Sequence, residues 1–426
     1  MRELMLAEGA SHRIEGESEH HVMRVFAIAG HVVRVPENPA ETRALLAAAE
    51  VDPYRYYQWL RVRMPLLPAT VFADVYLVQP NDAVDVTLVD GRVQVSLAEP
   101  YRYLSRFEQR RNEYDRDRID RLLCESVARA CAGRDDLVLL LSDGKDSVPL
   151  ARALHLAGRR ARCVTFCDPG SDTEAFTRHI AGKYGHEHHV VDAASLDLDT
   201  LLPVYRRLAY PTGDIASAGY AWLVAQGLAG ADTVVLDGSG SDPYMGGSLP
   251  AWRDRAGYAV ARLTGMHPWL SVRARRPQLA ALAYGFAMGS EETDGQLEPR
   301  LRAELAQLFA DVSRRADWID SRRLLFIRHM HCEYDNKGRV FDLSGLLKVR
   351  YPWVTAPLRD YFFHARHRNL GRANKGYLRR YLDDTEAYGK YIQGKRNFLL
   401  SPSRKGHPMT GPRVRQAIID ATLAAR

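Results

Sequence analysis

The chain has 426 residues, 46% hydrophobic and 26% charged, which suits two or three soluble globular domains and excludes a disordered, collagen-like or disulfide-framed chain. Fifty-nine Lys and Arg stand against 52 Asp and Glu, a net charge of +7 that is too dilute to point to a nucleic acid. No apolar run is long enough to span a membrane, since Ala218–Ala231 is broken by Gln226 and several glycines.

Residues 1–105 read as a small β-rich unit. Val22–Ile28 and His31–Val35 are apolar runs with Ala29-Gly30 between them as a turn, and Ala83–Val89 and Val93–Leu97 flank Asp90-Gly91, the strongest hairpin signal in the chain. Residues 101–119, rich in Arg, Asp, Glu and Tyr, read as a linker or an exposed helix start. From about residue 120 strands alternate with helices. Leu137–Leu141 predicts a strand buried on both faces, Ser147–Ala157 a helix closed by Gly158, and Cys163–Phe166 a second strand. A helix opened by the capping-box spacing Ser171-Asp-Thr-Glu174 turns Phe176, Ile180, Ala181 and Tyr184 inward. Strands follow at His189–Val191 and Asp232–Leu236. This alternation predicts an α/β fold with a doubly wound parallel sheet, whose ligands gather at the carboxyl ends of the strands. Residues 250–426 read as mostly helical, and the division expected is 1–105 and 106–426.

The segment Leu141-Ser142-Asp143-Gly144-Lys145-Asp146-Ser147 lies between the first buried strand and its helix. Two hydroxyls, a glycine turn and a helix N-terminus make a nest for a polyphosphate; Lys145 can neutralise its charge and Asp146 can hold a divalent cation. A solvent-exposed turn that merely caps the helix has the same residue types. The GxxxxGK[ST] spacing of a Walker loop is absent. Five cysteines, Cys124, Cys131, Cys163, Cys167 and Cys332, are odd in number and scattered, so reduced thiols in a cytoplasmic protein are expected. The opening MRELMLAEGASHRIEGE carries acids and no apolar core, so no secretory signal is expected. His188 and His189 fall on opposite faces of a strand, and Tyr351, Trp353 and Tyr361–Phe363 read as core.

The loop resembles the Ser-Gly-Gly-x-Asp-Ser signature of the PP-loop ATP pyrophosphatases, with Asp143 in place of the second residue's glycine. Leu236-Asp-Gly238-Ser239-Gly240-Ser-Asp242-Pro-Tyr-Met-Gly-Gly247 resembles the Gly-Glu-Gly-Ala-Asp-Glu…Gly-Gly segment of the asparagine synthetase family. Further segments resemble that family in its order: Ala181–Val190, Pro211–Asp214, Val349–Trp353 (with Lys348 for a Glu and Thr355 for an Asp), and Lys395-Arg-Asn-Phe398 with Pro402. The resemblance covers about residues 120–405. It implies ATP and Mg²⁺ as cofactors, with Ser142, Asp143, Gly144, Lys145, Asp146, Ser147, Phe166, Gly238, Ser239 and Gly240 at the nucleotide. It further implies Asp146 and Asp242 at the metal, and Lys395 as the catalytic lysine.

Departures narrow the expectation. Ser239 stands where asparagine synthetases place a Glu that helps deprotonate ammonia and where β-lactam and carbapenam synthetases place a Tyr; an unaided serine is too weak an acid to serve as base. Pro243 replaces the acid after the metal aspartate. Arg2 stands where the glutaminase nucleophile follows the initiator methionine, and the first cysteine is Cys124. Residues 1–105 therefore resemble a truncated, degenerate glutaminase-like domain, as in β-lactam synthetases and lasso-peptide cyclases. The function implied is an AMP-forming amide-bond ligase. It adenylates a carboxylate of a small molecule or peptide and couples it to an amine, within or between molecules, in specialised-metabolite biosynthesis. A PP-loop tRNA-modifying enzyme, for which the basic excess of residues 395–426 argues, and a non-catalytic nucleotide-binding relative remain open. So does a homo-oligomer. The sequence singles out no general base; Glu333 and Asp335, in the polar stretch ahead of the Arg350 segment, are candidates.

Overall fold

The computed structural model describes residues 1–16, 23–62, 65–80, 82–101, 112–241, 245, 294–315, 324–325, 327, 336–364, 376–386 and 412–424. In the N-terminal part, β1 (Arg2–Met5), β4 (Val32–Val35), β3 (Arg24–Ala29) and β5 (Val75–Val78) form one antiparallel sheet in that spatial order, and β2 (Ser11–Glu15), β6 (Ala83–Val89) and β7 (Arg92–Leu97) a second. Strand alternation turns Phe26 and Val33 of the first sheet and Val84 and Val86 of the second into one shared, fully buried core. Asp90 and Gly91 both take positive φ (51° and 69°), so the two-residue turn matches the strand twist and sets Val89 opposite Arg92, as the Asp-Gly pair predicts.

Two helices lie in this part that the reading as β-rich did not contain. Helix α1 (Pro39–Ala47) starts where Asn38 caps the amide of Glu41 at 2.9 Å with Pro39 in the first turn, and α2 (Pro53–Val62) starts where Asp52 accepts from Tyr54 and Arg55. Buried Tyr57 donates to Glu298 at 2.5 Å and Arg61 pairs with the same carboxylate at 3.4 Å, which ties α2 to the later helix at residues 297–313.

Within 101–119 a helix does begin. Asp115 caps α3 (Arg116–Ala130), and Ile119, Leu123 and Val127 recur every four residues on its buried face. The sheet that follows is five-stranded and wholly parallel, in the order β10 (Glu187–Asp192), β9 (Arg162–Cys167), β8 (Leu137–Leu140), β11 (Val234–Leu236), β12 (Lys348–Arg350). Helices α4 (Val148–Leu156), α5 (Asp172–Lys183), α6 (Leu198–Tyr205) and α7 (Ala218–Ala225) connect its strands. Val138, Leu139, Val235 and Leu236 have no exposed surface, as strands buried on both faces require. The doubly wound sheet is as expected.

Residues beyond 250 are mostly helical where described, with α8 (Leu297–Ser313), α9 (Asn336–Leu343), α10 (Ala356–Phe363), α11 (Gly376–Glu386) and α12 (Pro412–Leu423). The exception is β12, an edge strand that the helical expectation omits. Three residues are too few to show a period, and pairing with β11 creates this strand. Among the described residues no helix is long and apolar enough to cross a membrane.

Candidate functional site

Strand order reverses between β8 and β11, so the loops leaving their carboxyl ends border one crevice. The loop after β8 is a closed hydroxyl network. Ser147 Oγ accepts from the amide of Ser142 at 3.0 Å and donates to the Ser142 carbonyl at 3.1 Å, and the two hydroxyls are 3.0 Å apart. The amide of Gly144 donates to Ser142 Oγ at 3.1 Å. Ser147 is the N-cap of α4, yet its hydroxyl caps none of that helix's amides; it shapes the loop instead. A Cβ on Gly144 would stand 2.9 Å from Ser142 Oγ, so glycine is needed there for closeness rather than for a left-handed φ.

Asp143, the departure from the loop signature, is nine-tenths buried and takes no positive φ. Its carboxylate accepts from Thr173 Oγ1 at 2.8 Å, in the first turn of α5, where the helix dipole favours an anion. Ser171 caps that helix by accepting from Glu174 N at 3.4 Å, while the Glu174 side chain reaches back to the amide of Gly170.

The loop after β11 lies directly on the loop after β8. A Cβ on Gly238 would fall 2.6 Å from the Asp146 carbonyl carbon and 2.8 Å from the Ser147 nitrogen. Ser241 Oγ donates to Asp146 Oδ1 at 2.6 Å, and Trp353 Nε1, from the segment after β12, donates to the Asp146 carbonyl at 2.7 Å. Gly240 has φ +87°, which permits the chain to turn back after the contact. Asp146 is thus fixed from three strands of the sheet.

Behind Ser239 sits a buried polar cluster whose members come from separate parts of the chain. Asp237 accepts from the Ser239 amide at 2.6 Å and from the Tyr220 hydroxyl, and its Oδ2 is 3.3 Å from Lys337 Nζ. Burial alone would raise the Asp237 carboxyl, but Lys337 and the hydrogen bonds of Tyr220 and Ser239 hold it below the ordinary range. Burial, with the Asp237 charge next, pushes the Tyr220 hydroxyl well up, so it remains a donor. Lys337 Nζ also donates to Ser239 Oγ at 2.5 Å. Gly338 makes this approach feasible, because a Cβ there would meet Tyr351 Oη at 2.5 Å and Tyr220 Cζ at 2.8 Å.

Of the residues predicted for the site, Ser142, Asp143, Gly144, Lys145, Asp146, Ser147, Gly238, Ser239 and Gly240 share this crevice end of the sheet. Phe166 lies on β9, buried edge-on against Trp222 with rings 5.6 Å apart, and Gly219 leaves room for it. Asp242, Lys395, Glu333 and Asp335 lie outside the described residues. His188 Nε2 meets Thr165 Oγ1 at 3.1 Å and His189 meets Glu187, so the two rings have separate structural partners. Tyr351, Trp353 and Tyr361–Phe363 are buried, as read. Sequence reasoning missed Lys337, Tyr220, Asp237 and Thr173. Asp237 alone had a signal, an acid ending an apolar strand run.

The donor set suits a magnesium nucleotide. Two hydroxyls, a lysine and a helix start are the groups that polyphosphates meet, and the Asp146 carboxylate is a hard oxygen ligand. The cradle is also narrow: position 238 has no space for a side chain.

No curated protein matches the sequence significantly. The family model for asparagine synthase matches residues 118–387, well over half of the chain, beginning in α3 and ending just after α11. That span takes in the whole parallel sheet and both loops at its switch point; the chain therefore belongs to the asparagine synthase family, a family of ATP-dependent carbon–nitrogen ligases.

Proposed function

We propose that this protein is an AMP-forming amide ligase that takes a small-molecule or peptide carboxylate and an amine, as part of specialised-metabolite biosynthesis in the cytoplasm. The observation that carries the reading is the contact of Gly238 with Asp146, which unites the hydroxyl-lined loop and the second glycine loop at the switch point. In the proposed reaction an oxygen of the substrate carboxylate bonds to the α-phosphorus of ATP and pyrophosphate leaves. The amine then attacks the acyl carbon, AMP leaves with the C–O bond pair, and the nitrogen gives up a proton.

Ser142, Gly144, Lys145 and Ser147 bind and orient the phosphates. Asp146, with Asp242, holds Mg²⁺, which offsets phosphate charge when bound. Lys395 supplies a positive charge where negative charge develops. An amine rather than ammonia is favoured by Ser239, which lacks the acidity of Glu. Residues 1–105 are read as a degenerate glutaminase-like domain, and residues 106–426 as the synthetase part.

The test resolves nucleotide products. Protein incubated with ATP, Mg²⁺ and a metabolite extract of its host should release AMP and pyrophosphate in equal amounts, and Asp146→Asn should not. Release of ADP, or binding of ATP with no turnover in any extract, would overturn the proposal.

A further inference from the structure

We infer that the Ser239 hydroxyl, held by Lys337, is the subsite that receives an acyl oxygen of the carboxylate substrate. This rests on the ligase reading and deepens it. Ser239 directly follows Gly238, the residue packed on Asp146 and Ser147, so it stands at the rim of the same crevice. Its oxygen accepts from Lys337 Nζ at 2.5 Å. A hydroxyl that accepts from a lysine has its own hydrogen left to give, and among the described residues no acceptor takes it. The hydroxyl is therefore poised to donate into the crevice.

The charges behind it set what it donates to. Lys337 is 3.3 Å from Asp237, and both side chains are mostly buried, at 18% and 9% exposure. Lys337 donates to the Ser239 hydroxyl and pairs with the Asp237 carboxylate, so its nitrogen is engaged as a donor on both sides. The pair consequently does not serve as a base for the incoming amine. Asp237 also accepts from the Ser239 amide and from Tyr220, and it is Lys337 that donates to the Ser239 hydroxyl, so a cation stands directly against that hydroxyl. A donor backed by a cation suits an oxygen that carries or gains negative charge: a carboxylate before activation, or the acyl oxygen when the amine adds. Lys337 reaches Ser239 from α9 because Gly338 allows that helix to press against Tyr220 and Tyr351.

The test compares two probes that share the nucleoside: AMP and 5′-O-(N-acetylsulfamoyl)adenosine, which adds an acyl carbonyl. Wild-type protein should prefer the acylated probe over AMP by tenfold or more in calorimetry. In Ser239→Ala that preference ratio should fall at least fivefold. Lys337→Met, which would strand Asp237, is made together with Asp237→Asn so that no buried charge is left alone; it should reduce the ratio equally. Lys337→Arg should retain most of it. An unchanged ratio in Ser239→Ala, or equal losses for both probes in every variant, would overturn the subsite. A wild-type protein that binds neither AMP nor ATP would overturn the ligase reading itself, and the subsite with it.

Discussion

Gly238 approaches Asp146 so closely that any side chain at position 238 would place its Cβ within 2.6 Å of the Asp146 carbonyl carbon. The contact joins loops from β8 and β11, strands that are hydrogen-bonded neighbours but nearly a hundred residues apart in the chain. Gly238→Ala must therefore push one loop away from the other. Overpacking of this kind costs about 1–3 kcal/mol, to be read by urea unfolding. Turnover of ATP to AMP should fall about a hundredfold, the scale set by a misplacement of ~1 Å at a reacting centre.

Thr173 accommodates the Asp143 carboxylate beside the loop proposed to bind phosphates. Thr173 holds it toward the start of α5 at 2.8 Å. Thr173→Val removes that donor and should cost about 1–3 kcal/mol, as for a hydrogen bond to a charged group in a buried setting. It should also weaken ATP binding in calorimetry, because the carboxylate loses what turns it toward α5. Thr173→Ser, which keeps the hydroxyl, should restore both. Full ATP affinity in Thr173→Val would show that Asp143 needs no such restraint.

The elements legible in the sequence are those whose signals are local. Asp90-Gly91 can satisfy only a tight turn, Ser171 and Glu174 place a helix start, and apolar runs such as Leu137–Leu140 have no stable place except a doubly covered sheet. The two site loops were legible for the same reason, since each occupies a few consecutive residues. Lys337 was not, because its partners Asp237 and Ser239 lie 98 or more residues away and only the fold unites them. Strand β12 was hidden likewise, being too short to show a period and defined by Val235 opposite Val349. Helices α1 and α2 sat among strand signals, and their Asn38 and Asp52 caps resemble ordinary turn residues.

Asp237 makes a prediction about pH. Its pKa is lowered in the folded protein, so the stability it contributes is fully present above the unfolded value, about 4. That contribution is lost as pH falls below this value through the lower folded one. Unfolding followed from pH 7 downward should thus show no loss from this group until about pH 4, then a decline that Asp237→Asn lacks. At pH 7 the same substitution leaves Lys337 without its counter-charge in a mostly buried site. It should cost about 3–5 kcal/mol, the usual result of breaking a buried pair from one side.

Trp353 combines a core role with a positional one. It has no exposed surface, packs against Phe362 with ring centroids 6.3 Å apart, and donates its indole N–H to the Asp146 carbonyl at 2.7 Å. Trp353→Phe keeps an aromatic ring but leaves that carbonyl without the donor, which should cost about 1–3 kcal/mol beyond the change in packing. The substitution loosens Asp146 on the side of β12 alone, while Ser241 and Gly238 still hold it from β11. Mg²⁺-dependent ATP binding should therefore weaken by less than in Gly238→Ala, although Trp353→Phe loses at least as much stability. If calorimetry found the two equally damaged in binding, Asp146 would be positioned by the indole and not by the contact of the two loops.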